Sequence, residues 1–131
     1  QIGILQRAIV IAPSGLKPTV LINPVITHSE GECVMEEGCL SIPGLYGDVT
    51  RPEFVVVDAL DRKGREFTYE MEGMSARVVQ HEIDHLHGVL FIDKMGPLGR
   101  LGSKKDIEKF IAEFDQAKKK GEIPPGVDPK F

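Results

Sequence analysis

The segment at residues 81–85, His-Glu-Ile-Asp-His, constrains this chain more than any other feature of its sequence. It lies within a run of apolar residues at helical spacing, which predicts a helix over residues 74–86 that ends before Gly88. Four residues advance an α-helix by about 400°, so His81 and His85 share one face and lie one turn apart. Two histidines and a glutamate on a strongly apolar helix are costly to bury unless they bind something.

The same geometry suits two imidazole nitrogens that converge on one divalent cation. Glu82 lies one position round the helix, where it can stand beside a metal-bound water without being a ligand, as a general base must. The alternative is that both histidines make only the ordinary hydrogen bonds of a core or surface helix. A third ligand elsewhere in the chain favours the metal site, because a catalytic zinc site has three protein ligands and one open position.

Two parts of the chain offer a third ligand. Upstream, Cys39 stands in the segment Glu-Gly-Cys-Leu-Ser, where Gly38 lets the backbone approach closely and Ser41 can bond locally to hold the turn. A thiolate with two imidazoles and a water would form a tetrahedral site. Downstream, where metalloproteases usually place their third ligand, the chain has four candidate carboxylates: Asp93, Asp106, Glu108 and Glu113. The last three fall on the solvated side of a predicted amphipathic helix.

Around this helix the pattern predicts strands at residues 7–12, 19–22, 24–27, 54–60 and 66–71. A second helix is predicted over residues 104–120, with Ser103 as its N-cap and Asp106 completing a weak capping box. Its apolar stripe is explained by packing on the sheet or by docking to a partner. The predicted fold class is α+β, with antiparallel strands surrounding a central helix that carries the His-Glu-x-x-His motif and with a C-terminal amphipathic helix.

Length and composition limit the remaining classes of protein. At 131 residues the chain is long enough for one domain with one core. A net charge of −4 argues against a duplex nucleic-acid binder, and no apolar run is long enough to cross a bilayer. Two cysteines cannot form the disulfide framework of a small secreted domain, which favours a reducing compartment. Because the chain begins with Gln1 and not Met, we expect it to start within a longer gene product.

Three stretches of the chain resemble the signature of the peptide deformylase family: residues 1–3 (QIG), 37–41 (EGCLS) and 80–91 (QHEIDHLHGVLF). The family's glycine-rich first motif is represented only by its final glutamine, Gln1. The resemblance implies a single metallohydrolase domain over residues 1–121, with the N-terminal part of the family domain missing, followed by an extended tail at 122–131. It also implies a metal-dependent hydrolase that removes the N-formyl group from N-formylmethionine of newly made polypeptides.

By the same resemblance, Cys39, His81 and His85 hold the metal, and a metal-bound water attacks with Glu82 as general base. The backbone N–H of Leu40 and the side-chain amide of Gln1 take the family's positions for stabilising the oxyanion. Four residues match substrate-binding positions: Gly38, Met35, Met74 and Val78. Plain core packing explains the last three equally well. Arg51 is interpreted as a structural ion-pair partner and Tyr46 as a weak candidate for contact with the peptide. Cys33 is interpreted as a small buried or half-exposed apolar residue, and His28 and His87 as polar surface residues.

The resemblance implies Fe²⁺ as the physiological ion, with Zn²⁺, Ni²⁺ or Co²⁺ able to occupy the same ligands. The implied partners are N-formylmethionyl peptides, with no direct nucleic-acid or membrane partner. A transient ribosome contact through the lysines at 118–120 is consistent with such substrates, although three lysines are also typical of a solvated helix end. The implied location is the bacterial cytoplasm, or an organelle if a transit peptide lies upstream.

Two other functions remain open at this point. One is a zinc-dependent endopeptidase that uses His81, His85 and a downstream carboxylate, in which Cys39→Ser would keep the metal. The other is a non-catalytic module stabilised by metal, in which Glu82→Ala would change nothing measurable.

Overall fold

The computed structural model describes residues 4–13, 15 and 17–126. Six strands come first: β1 (Ala8–Ile11), β2 (Thr19–Glu30), β3 (Cys33–Cys39), β4 (Ile42–Arg51), β5 (Phe54–Leu60) and β6 (Glu66–Glu72). Helices follow: α1 (Gly73–Leu86), α2 (Phe91–Lys94), α3 (Pro97–Gly102) and α4 (Lys104–Lys119). The predicted α+β class is confirmed, and the His-Glu-x-x-His motif lies in α1.

The larger sheet has the strand order β1-β2-β5-β6, with every neighbouring pair antiparallel. Alternate residues of its strands face α1 and form an apolar core with the helix, as the period of two in a half-buried strand requires. From α1 this core takes Ala76, Val79 and Ile83, and from the centre of the sheet it takes Leu21 and Val57. The sheet therefore fixes one side of the motif helix by apolar packing.

The segment predicted as a third strand at 24–27 is not separate, because β2 runs continuously through it. The pairing of β2 with β5 slips between Ile22 and Val25, where Asn23 takes a left-handed backbone conformation with φ 50°. Asparagine is one of the few residues that tolerate this conformation. The irregularity explains why two short strands were predicted where one long strand exists.

A second, two-stranded sheet of β3 and β4 was not predicted from the sequence. Its register runs from Cys33 opposite Arg51 to Gly38 opposite Tyr46, and an irregularity follows at Cys39. This hairpin packs on α2 through a second apolar core, made of Ile42, Leu45, Val49, Phe91, Ile92 and Met95. The hairpin lies on the side of α1 that carries the histidines, as the contacts described below establish.

The C-terminal end of α1 is the end that the sequence predicts. Gly88 has φ +72°, and its N–H donates to the carbonyl of His85 while the N–H of Val89 donates to the carbonyl of Asp84. This pair of bonds is a Schellman motif, which requires a left-handed residue and favours glycine there. The motif helix therefore ends at Leu86, the residue directly after its second histidine.

Ser103 precedes the first residue of α4, as predicted, but the predicted capping bond is wrong. Ser103 has helical backbone angles and makes no side-chain capping bond, because it ends α3 and joins that helix directly to α4. The apolar stripe of α4 is half-buried, and Ile107 and Phe110 pack against the second core. Among the described residues, no helix is long and apolar enough to cross a membrane. Residues 127–131 lie outside the described part, so the domain boundary at 121 stays a prediction.

Candidate metal centre

Three potential ligand atoms meet between α1 and the end of β3. The Nε2 atoms of His81 and His85 are 3.1 Å apart, and the Sγ atom of Cys39 is 3.4 Å from His85 Nε2. All three atoms lie within 4.8 Å of one another, and all three residues are half-buried. The two imidazole nitrogens come from one turn of α1, whereas the sulfur comes from a residue more than 40 positions earlier in the chain.

This spacing fits a tetrahedral cation. With metal–nitrogen bonds of about 2.05 Å and a metal–sulfur bond of about 2.3 Å, neighbouring nitrogens lie about 3.3 Å apart and sulfur lies about 3.6 Å from nitrogen. The observed separations of 3.1 and 3.4 Å are close to these values. Two imidazole nitrogens and a thiolate are also the donor types that bind zinc and related divalent ions. The donor set therefore supports a divalent metal ion at this place.

Cys39 is placed by the end of β3, where the pairing with β4 becomes irregular. The backbone N–H of Ser41 donates to Cys39 Sγ at 3.4 Å. The sequence indicated that the side chain of Ser41 would hold this turn, but the observed bond comes from its backbone. Because the donor is a backbone N–H, this bond to the sulfur does not depend on the side chain at position 41.

Behind His81 lies a buried cluster of charged side chains. The Nδ1 atom of His81 is 3.0 Å from Oε2 of Glu37, a residue of β3 with only 7% of its surface exposed. Arg51 donates from Nε to Glu37 Oε1 at 2.6 Å and from Nη2 to Oε2 at 3.0 Å. Arg77 donates from Nη1 to the same Oε1 at 2.6 Å. Glu37 therefore receives four contacts that fill both of its oxygens.

The two arginines tie this cluster to the rest of the fold. Arg51 Nη1 donates to Asp84 Oδ2 at 2.7 Å, which joins β4 to the middle of the histidine motif. Arg77, on α1, donates to the carbonyls of Val49 at 3.0 Å and Cys33 at 2.6 Å. The interpretation of Arg51 as a structural ion-pair partner is confirmed. One guanidinium from the hairpin and one from the helix cross the same interface in opposite directions.

These contacts shift the pKa values of the cluster. Burial by itself raises the pKa of Glu37, but hydrogen bonds from His81, Arg51 and Arg77 overcome it and hold the pKa at about 2. The hydrogen bond to Glu37 raises the pKa of His81, and burial opposes this rise. Burial, followed by the neighbouring His81, lowers the pKa of His85. A neutral His85 has a free lone pair, as a metal ligand needs.

Glu82 is half-buried and lines a cleft of about 960 Å³ together with His85. The opposite wall is the edge strand β1 and the residues before it, including the apolar Leu5 and Ile9. The carboxylate therefore stands beside the ligand group but is not a member of it. The predicted role of Glu82 as general base stays a prediction.

The structure brings the upstream candidate for the third ligand, Cys39, to the two histidines, and not a downstream carboxylate. Among the described residues, Cys39, His81 and His85 form the one group of histidine, cysteine and acidic side chains spaced to hold a metal. Asp93 instead accepts from the backbone N–H of Leu90 at 2.9 Å. The three acidic candidates of α4, namely Asp106, Glu108 and Glu113, are exposed. The geometry therefore disfavours a site completed by a downstream carboxylate.

The other predicted site residues fall around this centre without proof of a role. Leu40, next to Cys39, is 92% exposed. Met74 and Val78 lie on α1 at helical spacing from His81. Met74 is 54% exposed, whereas Val78 packs against the apolar core between α1 and the larger sheet. Met35 shares a face of β3 with Glu37 and Cys39, because these positions alternate along the strand. Gln1 lies outside the described residues.

Gly38 has a packing reason that the sequence did not reveal. It pairs with Tyr46 across the hairpin, and a Cβ atom built on Gly38 would lie 2.6 Å from two atoms of the Tyr46 ring. The ring occupies the place where a side chain would stand. Both residues stay predictions as peptide contacts, but the absence of a side chain at Gly38 is already explained by its neighbour.

Sequence reasoning missed the role of Glu37 and Arg77, although a signal for each exists. Glu37 precedes Cys39 by two residues, which is the period that puts both side chains on one face of a strand. Arg77 precedes His81 by four residues, which is one turn of a helix. The predictions for three other residues hold: Cys33 is half-buried, whereas His28 and His87 are exposed.

The sequence and the fold are both similar to known proteins. A family model described as polypeptide deformylase matches residues 1–101. A peptide deformylase from Thermodesulfovibrio yellowstonii is 52% identical over 104 residues, which cover 76% of this chain and 63% of that protein. A second, from Alkalilimnicola ehrlichii, is 47% identical over 116 residues, which cover 86% of this chain and 65% of that protein. The chain thus spans slightly less than two thirds of the length of these two relatives.

Two solved structures show the same architecture. The crystal structure of a peptide deformylase from Thermus thermophilus superposes with a TM-score of 0.83 at 41% identity, covering 88% of this chain and 70% of that one. A peptide deformylase 1B from Arabidopsis thaliana, solved in complex with an inhibitor, superposes with a TM-score of 0.83 at 34% identity. That match covers 97% of this chain and 71% of the plant chain.

Proposed function

Because this chain belongs to the polypeptide deformylase family, we propose that it hydrolyses the formyl group from the N-terminal formylmethionine of newly made polypeptides. The observation that carries the proposal is the convergence of one sulfur and two imidazole nitrogens beside a carboxylate that is not a ligand. Three protein ligands with an open fourth position are typical of a catalytic site and not of a structural one.

In this proposal Cys39, His81 and His85 hold the metal. When bound, a divalent cation supplies Lewis-acid chemistry: it polarises a carbonyl oxygen and lowers the pKa of a water molecule. The protein's own contribution is to orient the ligands. The Ser41 N–H donates to the sulfur and the Glu37 carboxylate lies against His81 Nδ1, so both ligands are directed toward the centre.

Glu82 is the proposed general base. Its place in the cleft beside His85 supports this role, because a base has to reach the attacking water without occupying the metal. It accepts the proton of that water and later delivers it to the amine that leaves. The backbone N–H of Leu40 and the amide of Gln1 are proposed to donate to the oxygen that becomes negative during the reaction.

The proposed pocket for the methionine side chain is formed by Met35, Met74 and Val78, with Gly38 beside the peptide. Its support is the shared helix face that places Met74 and Val78 one to two turns before His81. An apolar pocket separates side chains that differ by one methylene by only about 1–3 kcal/mol. We therefore expect formylated peptides with norleucine in place of methionine to be hydrolysed as well.

We propose Fe²⁺ as the resident ion, with Zn²⁺, Ni²⁺ and Co²⁺ able to occupy the same ligands. Imidazole and thiolate donors accept all four ions, so the choice follows metal supply more than geometry. A thiolate ligand beside iron is open to oxidation, so activity of the iron form should decline in air. Metal analysis of protein purified without oxygen tests this assignment.

The proposed partners are formylated nascent chains, which the protein would meet in the bacterial cytoplasm. A transient ribosome contact would use the lysines at 118–120, at the C-terminal end of α4. Cations are also stabilising at that end of a helix, so their presence alone does not require a partner. Cosedimentation with ribosomes, with and without replacement of these lysines, separates the two explanations.

The test of the proposed function is release of formate from formyl-Met-Ala by the iron-loaded protein. Glu82→Ala should lower the rate about 10²–10⁴-fold, as expected when a general base is removed, and should leave cobalt binding intact. Cys39→Ser should lose the metal. Glu108→Ala, which removes an exposed carboxylate of α4, is the matched control and should keep full activity. Metal binding without formate release by the wild type would contradict the proposal.

A further inference from the structure

We propose that Glu37 is a positioning residue, held by Arg51 and Arg77, that keeps the ring proton of His81 on Nδ1. Nε2 of that ring then presents its lone pair toward His85 and Cys39. The inference deepens the metal site proposed above and rests on it for its consequence, since the tautomer matters only if Nε2 is a ligand.

The hydrogen bonds of Glu37 determine which ring nitrogen of His81 carries the proton. Its Oε1 accepts from Arg51 Nε and from Arg77 Nη1, and its Oε2 accepts from Arg51 Nη2. An ionised carboxylate has no proton and can only accept. The remaining contact, from Oε2 to His81 Nδ1 at 3.0 Å, is therefore a bond that the imidazole donates. With one proton per neutral ring, Nε2 is then left as the acceptor.

The charges of the cluster agree with this arrangement. Two guanidinium groups, of Arg51 and Arg77, face two carboxylates, of Glu37 and Asp84. The ammonium group of Lys94 also lies 3.8 Å from Asp84, so the two carboxylates are compensated without any charge on His81. Both arginine side chains and that of Glu37 are about 5% exposed, and a buried charge needs such a partner. The arginines keep Glu37 ionised, so a positive charge on His81 is not required to compensate it.

The cluster also leaves Glu37 little freedom to turn. It comes from β3, Arg51 comes from β4, and Arg77 comes from α1. Arg77 is itself anchored on the carbonyls of Cys33 and Val49, and Arg51 on Asp84. The position of the acceptor oxygen is therefore defined by three elements at once. A carboxylate without such partners could rotate and would not define the orientation of the His81 ring.

The variant Glu37→Gln separates positioning from packing, because glutamine has almost the same shape. Its side chain offers one oxygen and one NH₂ group, and the arginines compete for the oxygen. The NH₂ group is then directed at His81 and donates to Nδ1, which moves the ring proton to Nε2. A ligand nitrogen that carries a proton cannot bind metal.

The experiment measures the tautomer of His81 by nitrogen NMR of ¹⁵N-histidine-labelled, metal-free protein. The pH is raised until the ring is neutral, because the pKa of His81 lies above that of an ordinary histidine. Cobalt affinity is measured in parallel from the visible absorption of Co²⁺. We expect the wild type to carry the proton on Nδ1. Glu37→Gln should shift it to Nε2 and lower cobalt affinity about 10–100-fold, the usual effect of losing a partner of a metal ligand.

Glu36→Gln is the matched control, since Glu36 is the next residue of β3 and is exposed on the opposite face. It should change neither the tautomer nor cobalt affinity. A proton on Nε2 in the wild type overturns the inference, even if Glu37→Gln does not fold. An unchanged tautomer and affinity in folded Glu37→Gln overturn it as well. Absence of cobalt binding by the wild type would instead contradict the proposed metal site, while the tautomer would still report on Glu37.

Discussion

The two sides of α1 are both buried, but they are built in different ways. Toward the four-stranded sheet the helix presents Ala76, Val79 and Ile83, which pack against other apolar side chains. Toward the β3–β4 hairpin it presents Arg77 and His81, which meet charged groups and backbone carbonyls. In the described part of the chain, every buried side-chain nitrogen or oxygen has a hydrogen-bond partner.

The difference matters because the two kinds of contact constrain different quantities. Apolar contact depends on the area removed from water and has no preferred direction. Hydrogen bonds between charged groups depend on angle as well as distance and specify where each atom lies. The sheet side therefore contributes stability without fixing a direction. The hairpin side fixes the direction of the candidate ligand atoms, and removing one of its charged partners is destabilising because the other charge stays buried. The following variants test this division.

The largest effect is expected for Arg51→Met, on the hairpin side. It removes the guanidinium that bridges Glu37 and Asp84 and leaves both carboxylates undercompensated in a buried place. Breaking a buried ion pair by removing one partner usually costs about 3–5 kcal/mol of the free energy of unfolding. Chemical denaturation measures this loss, and cobalt affinity should fall together with stability.

Arg65→Met is the matched control for that variant. Arg65 also pairs with a carboxylate, that of Asp61, but its side chain is 71% exposed. Surface pairs contribute little, so both stability and cobalt affinity should stay close to those of the wild type. If Arg51→Met were as mild as Arg65→Met, the charged cluster would not be what holds the hairpin against α1.

On the sheet side, Leu21→Ala should cost about 2–5 kcal/mol of the free energy of unfolding and leave cobalt affinity unchanged. Leu21 is fully buried at the centre of the apolar core, and its removal leaves a cavity. Val25→Ala, at a half-exposed position of the same strand, should change stability by less than about 0.5 kcal/mol. Loss of cobalt affinity in folded Leu21→Ala would show that the two sides of the helix are not independent.

The same division explains which parts of the fold could be predicted from the sequence. Elements with an apolar face can be predicted from the regular spacing of their apolar residues. The bounds predicted for α1, α4 and the pair β5–β6 are close to the observed ones. The hairpin was not predicted, because β4 contains Pro43 and two glycines and its burial does not alternate. Its place depends on contacts with distant residues, such as the bond from Arg77 to the carbonyl of Val49.

The residues of the candidate site also differ in whether the sequence alone could predict them. Two candidate ligands and the neighbouring Glu82 follow from helical spacing within five residues. Cys39 follows from its own short motif and from a family resemblance. The charged cluster joins residues at positions 37, 51, 77 and 84, which no local pattern connects. Pairing across three elements becomes visible only when the chain is folded.

The smallest effect is expected at the pair of Gly38 and Tyr46, on the outer face of the hairpin. Gly38→Ala places a Cβ atom against the Tyr46 ring, which is 61% exposed and can swing outward at a cost of about 1 kcal/mol. Because the obstacle is the ring, Gly38→Ala should cost less in a Tyr46→Ala background. Contacting pairs show coupling energies of about 0.5–3 kcal/mol, and we expect a value near the lower end.

The same double-mutant cycle, read in KM for formyl-Met-Ala, tests the proposed substrate contact of Gly38. If Gly38 only makes room for the Tyr46 ring, the rise in KM caused by Gly38→Ala should disappear when Tyr46 is replaced by alanine. If the peptide itself passes close to Gly38, the added methyl group raises KM in both backgrounds. A coupling energy near zero in stability would contradict the packing explanation, because the glycine and the ring would then not be in contact in solution.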